Sequence, residues 1–492
     1  MSDFTFDEPT IQALFGKDAA EDESIERLRE YYFKSDVFDK INNELPLRIL
    51  VGHKGVGKSA LFKVAMNEAL ENKMLALWVR PDDILSIETD QSDVLKTIRD
   101  WKNGINDMII SLVLNSVGIN NVPSILEKVR SLGGGLLNIL TEVLGKKADE
   151  YGVNISEAKT NIVNNFLSTK KILLFIDDLD RGWSGDENSI KRVSALLNAV
   201  RDMTSANPGL LFRISLRSDV YFLVRTSDES TDKIDGNVIW LSWTQHQLLV
   251  LLAKRIDTYF GYTVDEKELM RKSQAEVAKS IYRVFEERFY GHGKWDNIPT
   301  HRVLATLIRK RPRDLVKLCT LAAREAKDNE HKKIGTDDLD CVFDRYSQDR
   351  IQDTINEHRY ELPEIERLLL GMAPSKKKKR TADAYMFSKE ELLTKLINIS
   401  SKPFYFAKVK EEEPKKVTPE QLLHFMYKIN FIVGRKEAEN GEIDRRYFED
   451  QNYLTTTFKD FGYKWEIHPA FRWALYPEGR ETLYMTDLNS EL

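Results

Sequence analysis

The chain has 492 residues, of which 42% are hydrophobic and 31% charged, with a formal net charge of −5 at pH 7. That length allows roughly three domains, and the balance is that of an ordinary globular protein. It excludes a globally basic nucleic-acid coat, though not a local basic face.

The only two cysteines, Cys319 and Cys341, provide neither a disulfide framework nor a zinc cluster, and buried free thiols in a reducing compartment are expected. The acidic start, Met1 to Glu8, lacks the basic region and apolar core of a signal peptide. No apolar run approaches the roughly 20 residues that span a bilayer. These features predict a cytoplasmic protein with no membrane segment.

Residues 1–45 read as a lead-in with a helix from about Asp22 to Tyr32. Leu45 to Val51 is a short apolar strand, and Ala60 to Met66 is apolar at helical spacing. Between them stands Gly52-His53-Lys54-Gly55-Val56-Gly57-Lys58-Ser59, which fits the phosphate-cradling pattern G-x-x-x-x-G-K-[ST] at every position. The glycines let successive N–H groups curl inward, and the helix N-terminus at Lys58, Ser59 and Ala60 adds partial positive charge. Lys58 is the candidate for the β- and γ-phosphates, and the Ser59 hydroxyl for Mg²⁺. Upstream, Tyr31, Tyr32 and Phe33 either stack on an adenine or pack under the core, and packing is the preferred reading.

Met74 to Val79 is a second buried strand, followed by a mainly helical insertion over residues 84–168. Its apolar stretches, Met108 to Leu114 and Leu132 to Leu144 with Gly133-Gly134-Gly135, are too short to cross a membrane and predict a helical hairpin on the core. Lys171 to Ile176 then forms a buried strand that ends in Asp177-Asp178-Leu179-Asp180-Arg181. Asp177 is placed to hold Mg²⁺ through water, and Asp178 to orient or deprotonate an attacking water. The strand Leu211 to Arg217 lies beside the phosphate-loop strand if the sheet is parallel, which makes Arg217 a candidate sensor of the third phosphate. Val238 to Leu241 closes the core of residues 46–243 as strand five.

Residues 244–348 read as a helical lid. In Arg311-Pro312-Arg313 the proline suits the first turn of a helix, and Arg313 is the candidate lid contact to a bound nucleotide. From 349 to 492 the composition shifts. Lys376 to Arg380 and Lys408 to Lys416 read as charged loops. The helical stretches 390–397 and 419–426 precede short strands at 431–433 and 463–467, an order that suggests a winged-helix-like module. Such a module binds DNA or packs on protein, and the net charge leaves packing or a protein contact at least as well supported.

Taken together, Gly52–Ser59, Asp177 to Arg181, Arg217, the 241–256 segment and Arg311-Pro312-Arg313 resemble the STAND and KAP-type branch of the AAA-like P-loop ATPases. They are also similar to initiator ATPases of the origin-recognition type. The resemblance covers roughly residues 15–345. It implies an α/β P-loop fold of the ASCE class with a parallel sheet, a helical lid, ATP and Mg²⁺ as ligands, and nucleotide-driven homo-oligomerisation. Arg181 and Arg225 are candidates for an arginine offered to a neighbouring subunit. It further implies an anti-phage setting and a separate effector protein. Two features depart from the pattern: the insertion is too short and polar for the membrane helices of many KAP-type proteins, and Asp177-Asp178 replaces Asp-Glu. The shorter second carboxylate predicts slow turnover, an expectation that a high unstimulated rate in purified protein would defeat.

The sequence thus leads to an ATP-binding, slowly hydrolysing switch. The alternatives are a DNA-binding initiator or loader, and a scaffold in which nucleotide is structural. His292, His301 and His331 fall in no metal-ligand spacing.

Overall fold

The computed structural model describes residues 4–17, 22–85, 87, 93–117, 136–138, 140–141, 144, 157–180, 183, 185–227, 229–374, 382–407, 416–437, 443–450, 463–476 and 483–488. The chain forms two compact units, one of Ser24–Leu241 and one of Met1–Glu23 with Ser242–Leu492.

In chain order, α1 (Glu8–Phe15) belongs to the second of these units, and the Ser24–Leu241 unit opens with α2 (Ile25–Tyr31) and α3 (Asp36–Asn42). There follow β1 (Leu47–Gly52), α4 (Lys58–Glu71), β2 (Leu75–Val79), α5 (Pro81–Leu85), α6 (Val94–Val117) and α7 (Glu157–Thr169). Then come β3 (Ile172–Ile176), α8 (Glu187–Ala206), β4 (Leu210–Arg217), α9 (Ser218–Ser227) and β5 (Val238–Trp240). The five strands pair in the order β2-β3-β4-β1-β5, all parallel. This is the α/β core expected of a P-loop NTPase. β3 is a continuous run of Ile, Leu and Phe because both faces of a parallel sheet are covered, whereas β4 is interrupted by Arg213, Ser215 and Arg217. Crossing from β3 to β4 before returning beside β1 brings the ends of three strands together, as the sequence predicts.

Local chemistry fixes how β1 enters the sheet. Arg213 of β4 is fully buried, and its guanidinium donates to the carbonyls of Ile41, Asn43, Leu45 and Phe212. Burial pushes this guanidinium down to about 9, yet carbonyl acceptors take four of its five N–H donors. The α3–β1 turn is thereby pinned to β4. Tyr31, Tyr32 and Phe33 are all buried, and Tyr32 packs on Phe38, in keeping with the core-packing reading. Of the insertion, α6 is a long helix burying Trp101, Ile105, Ile109 and Val113. Gly133 to Gly135 and most of the second predicted stretch lie outside the described residues.

The other unit continues with α10 (Gln245–Tyr259), capped by a reciprocal Thr244–Gln247 box, α11 (Glu266–Arg271) and α12 (Gln274–Ile281). A two-stranded ribbon, β6 (Arg288–Phe289) and β7 (Ile298–Pro299), leads to α13 (Thr300–Leu307), α14 (Pro312–Asp328) and α15 (Thr336–His358). After α16 (Ile365–Gly371) come β8 (Met386–Phe387), α17 (Lys389–Ile399), α18 (Pro419–Lys428), β9 (Ile432–Glu437), β10 (Ile443–Arg446), β11 (Lys464–Ile467) and α19 (Arg472–Leu475). The last four strands form an antiparallel sheet in the order β10-β9-β11-β8. Trp295 and Phe343 pack edge-on against Trp473 at 5.6 and 5.0 Å, so residues before and after 349 share one core. One expectation is corrected here. Cys319 is buried, but Cys341 is exposed, because it lies on the outward face of α15 while Leu339, Val342 and Phe343 face inward. Among the described residues no helix is long and apolar enough to cross a membrane.

Candidate functional site

β1 ends at Gly52, the backbone turns through His53–Gly57, and α4 begins at Lys58. Gly55 and Gly57 take φ of +82° and +97°, which costs a glycine nothing and other residues about 1–2 kcal/mol. A Cβ on Gly52 would stand 2.9 Å from both the Leu241 carbonyl oxygen and Val56 Cγ2. The loop is therefore curled as a phosphate cradle requires, and the residues present fit a phosphate chain. Lys58 Nζ donates to the carbonyls of Gly52 (2.8 Å) and His53 (3.2 Å), which keeps the ammonium over the loop. Lys54 is exposed, Ser59 is partly exposed, and Ala60 is buried on α4.

The sheet register brings the other groups to this loop. Arg217 pairs with Gly52 across β4 and β1, and Ile176, the last residue of β3, pairs with Ile214. Asp177 then follows at the end of β3, buried, and accepts a hydrogen bond from Ser215 Oγ of β4. Ser59 and Asp177 supply the hard oxygen donors that suit Mg²⁺, a cation that takes its remaining ligands from phosphates and water. Among the described residues no group of three or more His, Cys, Asp or Glu could hold a metal by itself.

Two carboxylates embrace Arg217. Its Nε lies 3.2 Å from Asp180 and 3.1 Å from Asp219 Oδ1, and all three side chains are 14% exposed or less. Burial pushes the Asp180 carboxyl up, while Arg217 and Lys58 pull it back. Asp180 thus belongs to the charge cluster of Arg217, Asp219 and Lys58 beside the glycine loop, a placement the sequence reading did not assign. Asp178, given the water-orienting role there, is exposed and sits at φ +56°. That left-handed residue turns the chain so that Asp180, two positions on, returns toward Arg217. The D-x-x-D spacing was the available signal.

The remaining arginines are placed differently. Arg225 is held within its own chain by Asp232 and Asp235, and Asp235 also accepts from the Tyr221 hydroxyl. Arg313 stands on the first turn of α14, partly exposed, in the other unit. Pro312 opens that helix as predicted. Arg181 and the run Lys376 to Arg380 lie outside the described residues, as do residues 408–415.

A family described as the FunZ-associated C-terminal helical domain matches residues 246–355. The transposon gamma-delta 80.3 kDa protein of Escherichia coli (strain K12) is 25% identical over 350 residues, covering 65% of this chain and 48% of that protein. The chain therefore spans about half the length of this curated relative. Among solved structures, the ORC2 protein of Aeropyrum pernix with ADPNP and ADP covers 94% of this chain and 92% of its own at 12% identity and a TM-score of 0.40. The Thermotoga maritima RuvB Holliday junction branch migration motor covers 91% of this chain and 100% of its own, at 12% identity and a TM-score of 0.31. The chain's own strand order, together with its glycine loop, is that of a P-loop NTPase.

Proposed function

We propose that this protein is an ATP-binding, slowly hydrolysing P-loop ATPase that acts as a nucleotide-dependent, oligomerising switch. The observation that carries the reading is the convergence of the Gly52–Ser59 loop, Asp177 and Arg217 at the ends of three adjacent parallel strands. The backbone of residues 52–60 and Lys58 bind the phosphates, Arg217 reads the third phosphate, and Ser59 with Asp177 holds Mg²⁺. The bound ion would neutralise charge on the β- and γ-oxygens during transfer to water. Asp180 faces the same cations as the phosphates, and geometry favours it over exposed Asp178 for orienting that water. Arg313 contributes a lid contact to the nucleotide.

Within the second unit, the order α16, β8, α17, α18, β9, β10, β11 supports a winged-helix-like module. A DNA-reading initiator would present basic groups on the third helix of that module. The accessible side chains of α18 include Glu420 and Gln421, and Lys428 is bound to Glu361 at 2.9 Å. That surface favours a protein contact over a nucleic-acid one. Effector chemistry is then supplied by a partner, in the defence setting that the STAND and KAP resemblance implies.

Light scattering of the full chain with Mg·ADP, Mg·ATP and the Lys58→Ala variant tests the proposal. ATP, but not ADP, is expected to produce a discrete larger species that Lys58→Ala cannot form. A mass that never changes, with Lys58→Ala lowering stability alone, would make nucleotide a structural cofactor and end the switch reading.

A further inference from the structure

The C-terminal end of β4 and the start of α9 read Ser215-Leu216-Arg217-Ser218-Asp219. Each polar residue of this short segment engages part of the site. Ser215 holds Asp177, and Arg217 is held by Asp180 and by Asp219, two residues on. Ser218 reaches into the phosphate loop, where its Oγ is hydrogen-bonded to His53 Nδ1 at 3.0 Å. Both residues are buried, at 2% and 4% exposure. The loop position occupied by His53 is one at which the phosphate-binding pattern accepts any residue. Here the imidazole points into the junction of β4 and α9, and its own carbonyl accepts from Lys58 Nζ at 3.2 Å.

His53 therefore has contacts of two kinds. Its backbone touches the lysine that grips phosphate, and its ring touches the residue immediately after the arginine that reads the third phosphate. Gly52 and Arg217 are already paired in the β1–β4 ladder, and this buried hydrogen bond between the residues that follow them adds a side-chain restraint just beyond the last paired position. A phosphate that drew Lys58 off the loop carbonyls would take a partner from the peptide of His53, and the ring contact with Ser218 is the side-chain route from that peptide to the residue beside Arg217.

We infer that His53 is a positioning residue that, through Ser218, ties the conformation of the phosphate loop to the placement of Arg217, so that discrimination between ATP and ADP depends on this hydrogen bond. The inference rests on the nucleotide-switch reading above. It concerns neither the phosphate contacts themselves nor hydrolysis.

The test is calorimetric titration of the full chain with Mg·ATP and Mg·ADP, for wild type, His53→Ala, Ser218→Ala, the double variant and His53→Asn. Each alanine variant is expected to change the ratio of the two Kd values by about three- to tenfold, the scale of one buried hydrogen bond. The double variant should change it no further than either single one, because both remove the same interaction. His53→Asn, whose amide offers a polar atom near the place of Nδ1, should recover most of the wild-type ratio. Variants that lower both affinities alike, or only the melting temperature, would make His53 merely structural and overturn the inference, as would effects that add. A wild type that binds neither nucleotide would bring down the function proposed above, and this relay with it. A wild type that binds ATP and keeps its ratio in His53→Ala would bring down the relay alone.

Discussion

Replacing Arg217 by alanine is the obvious way to test a phosphate sensor, and the structure predicts that it will do something else first. Arg217 is about one-seventh exposed, and it is the cation shared by Asp180 and Asp219, at 13% and 3% exposure. At an effective dielectric near 20, a contact of this kind has a Coulomb energy of roughly 4 kcal/mol before desolvation. Removing one partner of a buried pair usually costs about 3–5 kcal/mol, because the remaining charge is stranded. Arg217→Ala strands two. We expect a loss of about 3–5 kcal/mol in the Ser24–Leu241 unit, and at 2–4 °C per kcal/mol a melting temperature lower by about 6–20 °C. The triple variant Arg217→Ala/Asp180→Asn/Asp219→Asn should recover most of that loss, since no carboxylate is then left without a partner. Urea denaturation of the three proteins without nucleotide measures both effects. If Arg217→Ala is as stable as wild type, or the triple variant is no better than the single one, the carboxylate clamp has no energetic reality. Lost ATPase activity in Arg217→Ala alone says nothing about sensing until this control is done.

Asp180→Asn should lower turnover by about 10²-fold or more with ATP binding retained, whereas Asp178→Asn should lower it by less; the reverse order in a phosphate-release assay would return the water-orienting role to Asp178. Gly52→Ala forces a Cβ to within 2.9 Å of a backbone carbonyl that cannot swing away, so a loss of about 1–3 kcal/mol and weaker ATP binding are expected. A Gly52→Ala protein that binds ATP like wild type would show the cradle to be looser than described. Acid should destabilise the second unit between about pH 4 and pH 2. Burial alone would raise the Glu466 carboxyl, but Arg445 and Arg472 outweigh it and hold the group at about 2. A carboxyl lowered in the folded state stabilises above its unfolded value near 4.3, and that contribution, about 3 kcal/mol, is lost as pH falls toward 2. Glu466→Gln should be less stable at pH 7 and show a flatter acid limb in circular dichroism, and an unchanged limb would remove Glu466 from the account.

The sequence by itself determined the P-loop core. A glycine pattern of fixed spacing, a strand ending in carboxylates and five apolar runs are local signals, written in consecutive residues, and local geometry suffices to decode them. The strand order was also legible, because right-handed crossovers leave few ways to pack a parallel sheet around such a loop. Which carboxylate of the turn pairs with Arg217 was not legible. Asp178 and Asp180 are equivalent as letters, and only the left-handed turn at Asp178 and the neighbouring strand carrying Arg217 separate them. The direction of the His53 ring is likewise decided by a residue distant in the chain, the capture of Arg225 by how the turn carrying Asp232 and Asp235 folds back, and the outward face of Cys341 by the phase of a helix. Backbone motifs survive in one dimension because each residue's neighbours dictate its conformation. Side-chain partners do not, since a charge or a hydroxyl pairs with whatever the tertiary structure brings within reach.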